Sequence, residues 1–254
     1  MTFVRSPRVT VFPDSRRAAV VVAARLANAV QSNPALVLGL ATGRTPVALY
    51  EELARATAAR RLDWSRVTTF NLDEFLGLPP EHPASYRQFM EQHLFRHVNI
   101  RAENVNFLVG TADPAEECRR YEQAIAAAGG IDIQILGIGT NGHIGFNEPG
   151  PALQSRTHRV SLRPETRRSN AELFAGDADR VPAEALSMGM ATILQARSVI
   201  LLANGESKAE CIERTVHGPL TTQLPASFLQ LHHDVDVILD EAAAARLQPL
   251  SALP

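Results

Sequence analysis

Runs of consecutive apolar, often β-branched positions alternate along the chain with longer stretches in which apolar residues recur every three or four positions. The first pattern suits strands buried on both faces and the second suits amphipathic helices. Their alternation predicts an α/β fold, a mainly parallel sheet with helices on both faces. Strands are predicted over 8–12, 35–40, 66–71, 131–138, 157–162, 198–203 and 235–240, and helices over 15–31, 46–58, 85–97, 115–128, 183–194 and 207–217. Several helices open on a Ser, Thr or Asp suited to capping a first turn. The stretch 163–180 breaks this rhythm: it is polar, charged and weakly periodic. It is expected to be either a plain surface helix-loop or, at about 163–182, a mobile lid over a site. No repeat, low-complexity tract or linker interrupts the pattern, so a single domain is expected over 1–254.

Composition narrows the function classes. The 254 residues, 45% of them hydrophobic, suffice for a sizeable core. Lys and Arg (25) nearly balance Asp and Glu (27), a net charge of −2, so there is no basic footprint for nucleic acid or an anionic membrane. A small molecule is the expected partner. Cys118 and Cys211 stand far apart, outside any Cys-x-x-Cys or Cys/His ligand spacing, which argues against a disulfide framework or a structural zinc site. The apolar stretch 18–30 is broken by Arg25 and Asn28 and is too short to span a bilayer, so a cytoplasmic location is expected.

In open α/β sheets, ligands bind beyond the carboxyl ends of the strands. Three predicted strand ends carry chemistry. The first is Ala41-Thr42-Gly43-Arg44-Thr45-Pro46, a Gly turn with Thr45 as expected N-cap and Pro46 at the first helical position. Such a turn aims backbone N–H groups and a positive helix end at an anion such as phosphate, although the same residues also serve purely geometric turns. The second is Asn71-Leu72-Asp73-Glu74-Phe75, where an apolar strand ends in two adjacent carboxylates. Neighbours in an extended segment point to opposite sides, so at most one of them faces a given pocket, and alternation alone does not say which. A carboxylate in a partly dry pocket can take a proton from a carbon next to a carbonyl.

The third strand end is Gly137-Ile138-Gly139-Thr140-Asn141-Gly142-His143-Ile144-Gly145-Phe146-Asn147-Glu148, in which four glycines surround one histidine. Gly139, Gly142 and Gly145 are expected to allow positive φ and close approach by a ligand. Glu148, five residues on, is placed to orient the imidazole, fix its tautomer and support its charged form. A metal site is disfavoured, because no spaced set of further His or Cys ligands accompanies the loop.

Together these stretches resemble the glucosamine-6-phosphate deaminase family. The likeness continues through His82-Pro83-Ala84-Ser85-Tyr86, Val181-Pro182 and Gly205-Glu206-Ser207-Lys208-Ala209. The resemblance implies a Rossmann-like doubly wound fold and conversion of glucosamine 6-phosphate and water to fructose 6-phosphate and ammonia, with no metal or organic cofactor. It makes Asp73 the base moving a proton between C2 and C1. It makes His143, supported by Asn141 and Glu148, the group that opens the sugar ring. Thr42, Gly43, Arg44, Thr45 and Lys208 would hold the phosphate. Either a monomer or a homo-oligomer is compatible with the resemblance.

The chain departs from the family pattern at several positions. Many deaminases carry Asp where this chain has Asn141, and an amide cannot supply negative charge to the imidazole. Glu172 stands where better-known members place an arginine against the phosphate, so Arg44, Arg167 or Arg168 is expected to supply the missing positive charge. His158 and Val160 replace basic residues of the effector site, and the chain ends at Pro254 without the usual aromatic tail. Hyperbolic kinetics without activation by N-acetylglucosamine 6-phosphate follow as the expectation. Three alternatives stay open: a galactosamine-6-phosphate deaminase, which shares the 225–229 segment and the His143 loop, a 6-phosphogluconolactonase on the same fold, and a non-catalytic sugar-phosphate sensor.

Overall fold

The computed structural model describes residues 6–247; the carboxyl-terminal residues discussed above, through Pro254, lie outside them. Ten strands are present among the described residues: β1 (Arg8–Phe12), β2 (Val37–Leu40), β3 (Thr68–Asn71), β4 (Asp73–Phe75), β5 (Val105–Asn106), β6 (Ile133–Leu136), β7 (His158–Ser161), β8 (Glu184–Ser187), β9 (Ser198–Ala203) and β10 (Val235–Asp240). The helices are α1 (Ser15–Ser32), α2 (Val47–Ala58), α3 (Tyr86–His93), α4 (Pro114–Ala127), α5 (Pro164–Asn170), α6 (Met190–Leu194) and α7 (Ala209–His217). Seven strands form a parallel sheet in the order β1-β10-β9-β6-β2-β3-β5.

Strands β2 and β6 are buried at every position, and β9 and β10 at nearly every one. Their side chains alternate between two cores. Leu38, Leu40, Ile200 and Ile238 pack toward α1, α2 and α3, whereas Val37, Leu136, Leu201 and Val237 pack toward α4, α6 and α7. From β2 the chain winds outward through β3 and β5, then returns to β6 on the other side of β2. The order therefore reverses between β2 and β6, and a crevice opens beyond their carboxyl ends, as such reversals dictate. Caps come from Asp14, which accepts Arg17 N–H (2.7 Å), Ser85, which accepts Gln88 N–H (3.1 Å), and Asp113 at α4.

Two expectations are corrected. The predicted strand 157–162 exists as β7, but it belongs to a separate antiparallel sheet, β4-β8-β7. The predicted helix 183–194 is instead β8 followed by the short α6. An apolar run of this length carries no decisive period, and tertiary pairing overrides the helix propensity of its alanines. Ala185 and Leu186 are sealed in, Leu162 N–H donates to Ala183 O (2.8 Å) and Leu76 N–H to Glu184 O (3.0 Å). At Gly189, which starts α6, a Cβ would stand 2.3 Å from Arg156 O, so only glycine lets the chain turn there. The stretch 163–182 opens with α5, whose Glu165, Thr166, Ser169 and Asn170 line the crevice, followed by a 3-10 segment, Ala171–Phe174.

Candidate active site

A cleft of about 610 Å³ lies at the reversal point. Thr42, Gly43, Arg44, Thr45, Asp73, Asn141, His143 and Lys208 all line it, and Glu148 stands just behind His143. The residues predicted from three strand ends, and Lys208 from the motif after β9, are thus gathered in one place.

Asp73 begins β4, directly after β3, and pairs with Ser187 across the small sheet. Strand alternation separates it from its neighbour. Asp73 lines the cleft, while Glu74 turns the other way and accepts N–H groups from Phe75 (2.9 Å), Tyr86 (3.0 Å) and Arg87 (3.0 Å), closing the start of α3. Asp73 is only 6% exposed. Burial, reinforced by the charge of Glu74, pushes its pKa up to about 8. Glu74 is raised by burial to about 7, held back by the three backbone donors that favour its ionised form. Facing Asp73 is Gly145, with φ +54, where a Cβ would stand 3.5 Å from Asp73 Oδ2 and 3.0 Å from Ser187 Oγ. Glycine there leaves room beside the carboxylate.

The His143 loop is a tight turn: Gly142 N–H donates to Gly139 O and Gly139 N–H to His143 O, both at 2.9 Å. Gly142 and Gly145 adopt positive φ as expected. Gly139 does not; it is needed because the imidazole lies where its Cβ would be, with Cε1 2.2 Å away. The flanking Ile144 and Phe146 anchor the loop, one in each core.

The expected contact between His143 and Glu148 is indirect. Nδ1 of His143 lies 2.7 Å from Asn141 Oδ1, and Asn141 Nδ2 donates to Glu148 Oε2 at 3.0 Å, whereas Nδ1 to Glu148 is 3.7 Å. The chain of partners assigns the proton. A carboxylate only accepts, so the Asn141 NH₂ must face Glu148 and its carbonyl must face the ring; Nδ1 then carries the hydrogen and Nε2 keeps a lone pair. Glu148 does favour the charged imidazole, as expected, but its pull is outweighed. Burial lowers the His143 pKa, and Lys208 lowers it further, against the opposing pull of Glu148. A neutral imidazole results.

On the opposite wall, Gly43 (φ +97) shapes the turn 42–45, whose N–H groups find no acceptor among the described residues. Thr45 does not cap α2. Pro46 occupies the cap position, and the Thr45 hydroxyl donates to Asn204 Oδ1 (3.0 Å) at the end of β9, tying two strand ends together. Lys208 is largely desolvated, and its pKa is lowered by burial and by Arg44. Of the three arginines expected to offset Glu172, only Arg44 lines the cleft, with its Nη1 3.9 Å from Glu172 Oε2. Arg167 donates to Val181 O and Asp179 O, and Arg168 pairs with Glu165.

The cleft also includes residues that sequence reasoning did not assign: Tyr86, Thr166, Asn170, Asn204 and Ser207. Tyr86 belongs to a motif that carries the family resemblance, and that motif was its one available signal. Thr166 and Asn170 lie on α5 and reach the site only through tertiary packing. Among the described residues no cluster of three or more His, Cys, Asp or Glu side chains is placed to hold a metal, and no helix is long and apolar enough to cross a membrane.

Residues 15–238 match the family described as glucosamine-6-phosphate isomerases/6-phosphogluconolactonase. Glucosamine-6-phosphate deaminase 2 of Giardia intestinalis is 52% identical over 234 residues, 92% of this chain and 89% of that protein. The glucosamine-6-phosphate deaminase of Rhodopirellula baltica is 50% identical over 240 residues, 94% and 95% of the two chains. The solved structure of a monomeric glucosamine-6-phosphate deaminase superposes with a TM-score of 0.90 at 42% identity, covering 94% of this chain and 99% of that one. Such identity, sustained along nearly the whole length on the same fold, establishes that the chain belongs to the glucosamine-6-phosphate deaminase family.

Proposed function

We propose that the cleft converts glucosamine 6-phosphate and water to fructose 6-phosphate and ammonia, with Asp73 and His143 as its catalytic residues. The observation that carries this reading is one cleft holding a buried, cleft-facing carboxylate and a neutral imidazole of defined tautomer opposite a set of free backbone donors and a lysine.

The phosphate sits on the N–H groups of the turn 42–45, with Lys208 as a point charge and Arg44 at the rim. This places the sugar between Asp73 and His143. His143 Nε2 takes the proton of the anomeric hydroxyl and returns one to the ring oxygen, so the ring opens to the aldehyde. The Asp73 carboxylate then removes the proton on C2 while the C1 oxygen gains one released by the substrate's ammonium group, giving a neutral enolamine. Return of the proton from Asp73 to C1 leaves an imine at C2, which water hydrolyses to the ketone with loss of ammonia. A base with a pKa of about 8 is matched to this exchange near neutral pH. Asn141 and Glu148 support the imidazole, and the stretch 163–182 is the lid that excludes water while the enolamine exists.

The net charge of −2 and the two free cysteines suit a cytoplasmic metabolic enzyme whose partner is a sugar phosphate rather than nucleic acid or a membrane. The test is ammonia release from glucosamine 6-phosphate by the parent, Asp73→Asn and His143→Gln, with galactosamine 6-phosphate assayed alongside. The parent is expected to release ammonia, and each variant to lose about 10²-fold or more in kcat. A parent inactive on both amino sugars would overturn the reading; preference for the galacto sugar would correct the substrate alone.

A further inference from the structure

Behind His143 the polar relay continues past Glu148 to the roof of the cleft. Glu148 Oε2 accepts from Asn141, and its other oxygen, Oε1, accepts the hydroxyl of Thr166 on α5. Thr166 is buried. Its own carbonyl accepts from Ser169 Oγ (2.8 Å) and Asn170 Nδ2 (2.9 Å), and Asn170 Oδ1 in turn accepts the Tyr86 hydroxyl (2.8 Å) from α3. Helix α5 is thus fastened to both walls of the cleft at once.

We propose that Thr166 is a positioning residue that sets the tautomer of His143 from the roof; this rests on the reading of His143 as the ring-opening group. The reason lies in the freedom each link has alone. A terminal carboxylate torsion is soft, and an Asn amide can exchange its oxygen and nitrogen by a half-turn. Two contacts keep the Asn141 carbonyl toward Nδ1: the acceptor-only oxygen of Glu148 against its NH₂ (3.0 Å), and a longer bond from the His143 backbone N–H to Oδ1 (3.2 Å). If Glu148 swings away, only that longer backbone bond opposes a flip that offers NH₂ to the ring. The imidazole then moves its hydrogen to Nε2, and the lone pair that takes the anomeric proton is lost. With both oxygens of Glu148 engaged, the carboxylate cannot swing, and the relay has one arrangement. Since Thr166 is on α5, that arrangement exists only with the roof seated.

Thr166→Val keeps the shape and β-branching of the side chain and removes the hydroxyl, while Thr166→Ser keeps the hydroxyl. In ¹⁵N NMR of the free protein, the parent and Thr166→Ser are expected to show His143 protonated at Nδ1. Thr166→Val is expected to show a mixture with the Nε2–H form. On glucosamine 6-phosphate, Thr166→Val should lose about 10-fold in kcat, a part of the 10²–10⁴ that acid–base catalysis contributes, with KM within about two-fold. Thr166→Ser should recover most of it. An unchanged tautomer in Thr166→Val, or equal losses in both variants accompanied by a lowered Tm, would overturn the proposal. A parent that releases no ammonia would instead overturn the reaction, and the NMR comparison would still decide the role of Thr166.

Discussion

The His143 loop and the turn 42–45 follow neighbouring strands of one sheet, yet they hold their polar groups in opposite ways. On the His143 side each link of the chain Thr166–Glu148–Asn141–His143 is hydrogen-bonded to the next, and Thr166 at its far end is buried. On the phosphate side the backbone donors are free, and the ion pair between Arg44 and Glu172 is loose, with side chains 87% and 77% exposed. Proton transfer needs atoms fixed to a fraction of an ångström and pKa values set by burial, whereas a doubly charged phosphate is held by many weak donors. The difference predicts large, pH-linked effects on one wall and small, salt-screened ones on the other.

The largest effect is expected at Asp73. In the proposed mechanism only its carboxylate form accepts the C2 proton, so kcat/KM should rise with pH through an apparent pKa of about 8. The limb from His143, whose pKa is lowered, falls below it, and the limb from Lys208 closes the profile on the alkaline side. The same burial has a cost in stability. Because the folded protein holds the Asp73 proton more tightly than the unfolded chain does, the stability associated with this group is complete below the usual carboxylate range and is lost as pH rises toward 8. Asp73→Asn cannot charge, so its Tm should draw level with that of the parent near pH 4 and exceed it by several degrees at pH 9. A Tm difference independent of pH, measured by scanning calorimetry, would show that the carboxylate is not desolvated.

The two walls also differed in how much of them could be read from the sequence. Strands buried on both faces announce themselves as apolar runs, and with them came the strand ends that carry Thr42, Asp73 and His143. The two-residue β5 and three-residue β4 are too short to leave a period, and β8 took an Ala-containing run into a sheet because Leu72, Leu76 and Leu162 supplied backbone partners from distant segments. Within the site, residue types and spacing located Glu148 near His143 but could not show Asn141 interposed between them, nor that the pull of Glu148 on the imidazole pKa is outweighed. Burial decided that balance, and burial is a property of the packed chain. Thr166 left no local signal, since its partner lies 18 residues away, on the far side of β7 in the chain.

A smaller effect is expected when the relay is changed in charge rather than removed. Asn141→Asp puts a carboxylate 2.7 Å from His143 Nδ1, which favours the imidazolium and raises its pKa. More of the imidazole is then charged on the acidic side and unable to accept the anomeric proton. Relative to the parent, kcat/KM should fall about 3- to 10-fold at pH 6 and recover at pH 8. NMR titration of His143 checks the cause directly. A change in rate with an unmoved titration would mean that Asn141 acts on the sugar itself and not on the ring.

The smallest effect is expected on the phosphate wall, and it sharpens the comparison most. Glu172 holds its carboxylate near Arg44, so in the proposed binding mode it would compete with the substrate phosphate for that guanidinium. An exposed pair of this kind is worth about 0–1 kcal/mol. Glu172→Gln should therefore lower KM by only about two- to five-fold, and Arg44→Ala should raise it by a similar factor, both with kcat unchanged. The double variant should match Arg44→Ala, because Glu172 has nothing left to compete for. Raising the salt concentration should shrink the Glu172→Gln gain, since the Debye length falls to about 3 Å at 1 M. If Glu172→Gln instead changed kcat, the loop carrying it would be linked to the relay through α5. The two walls would then be parts of one closing movement, not two independent grips.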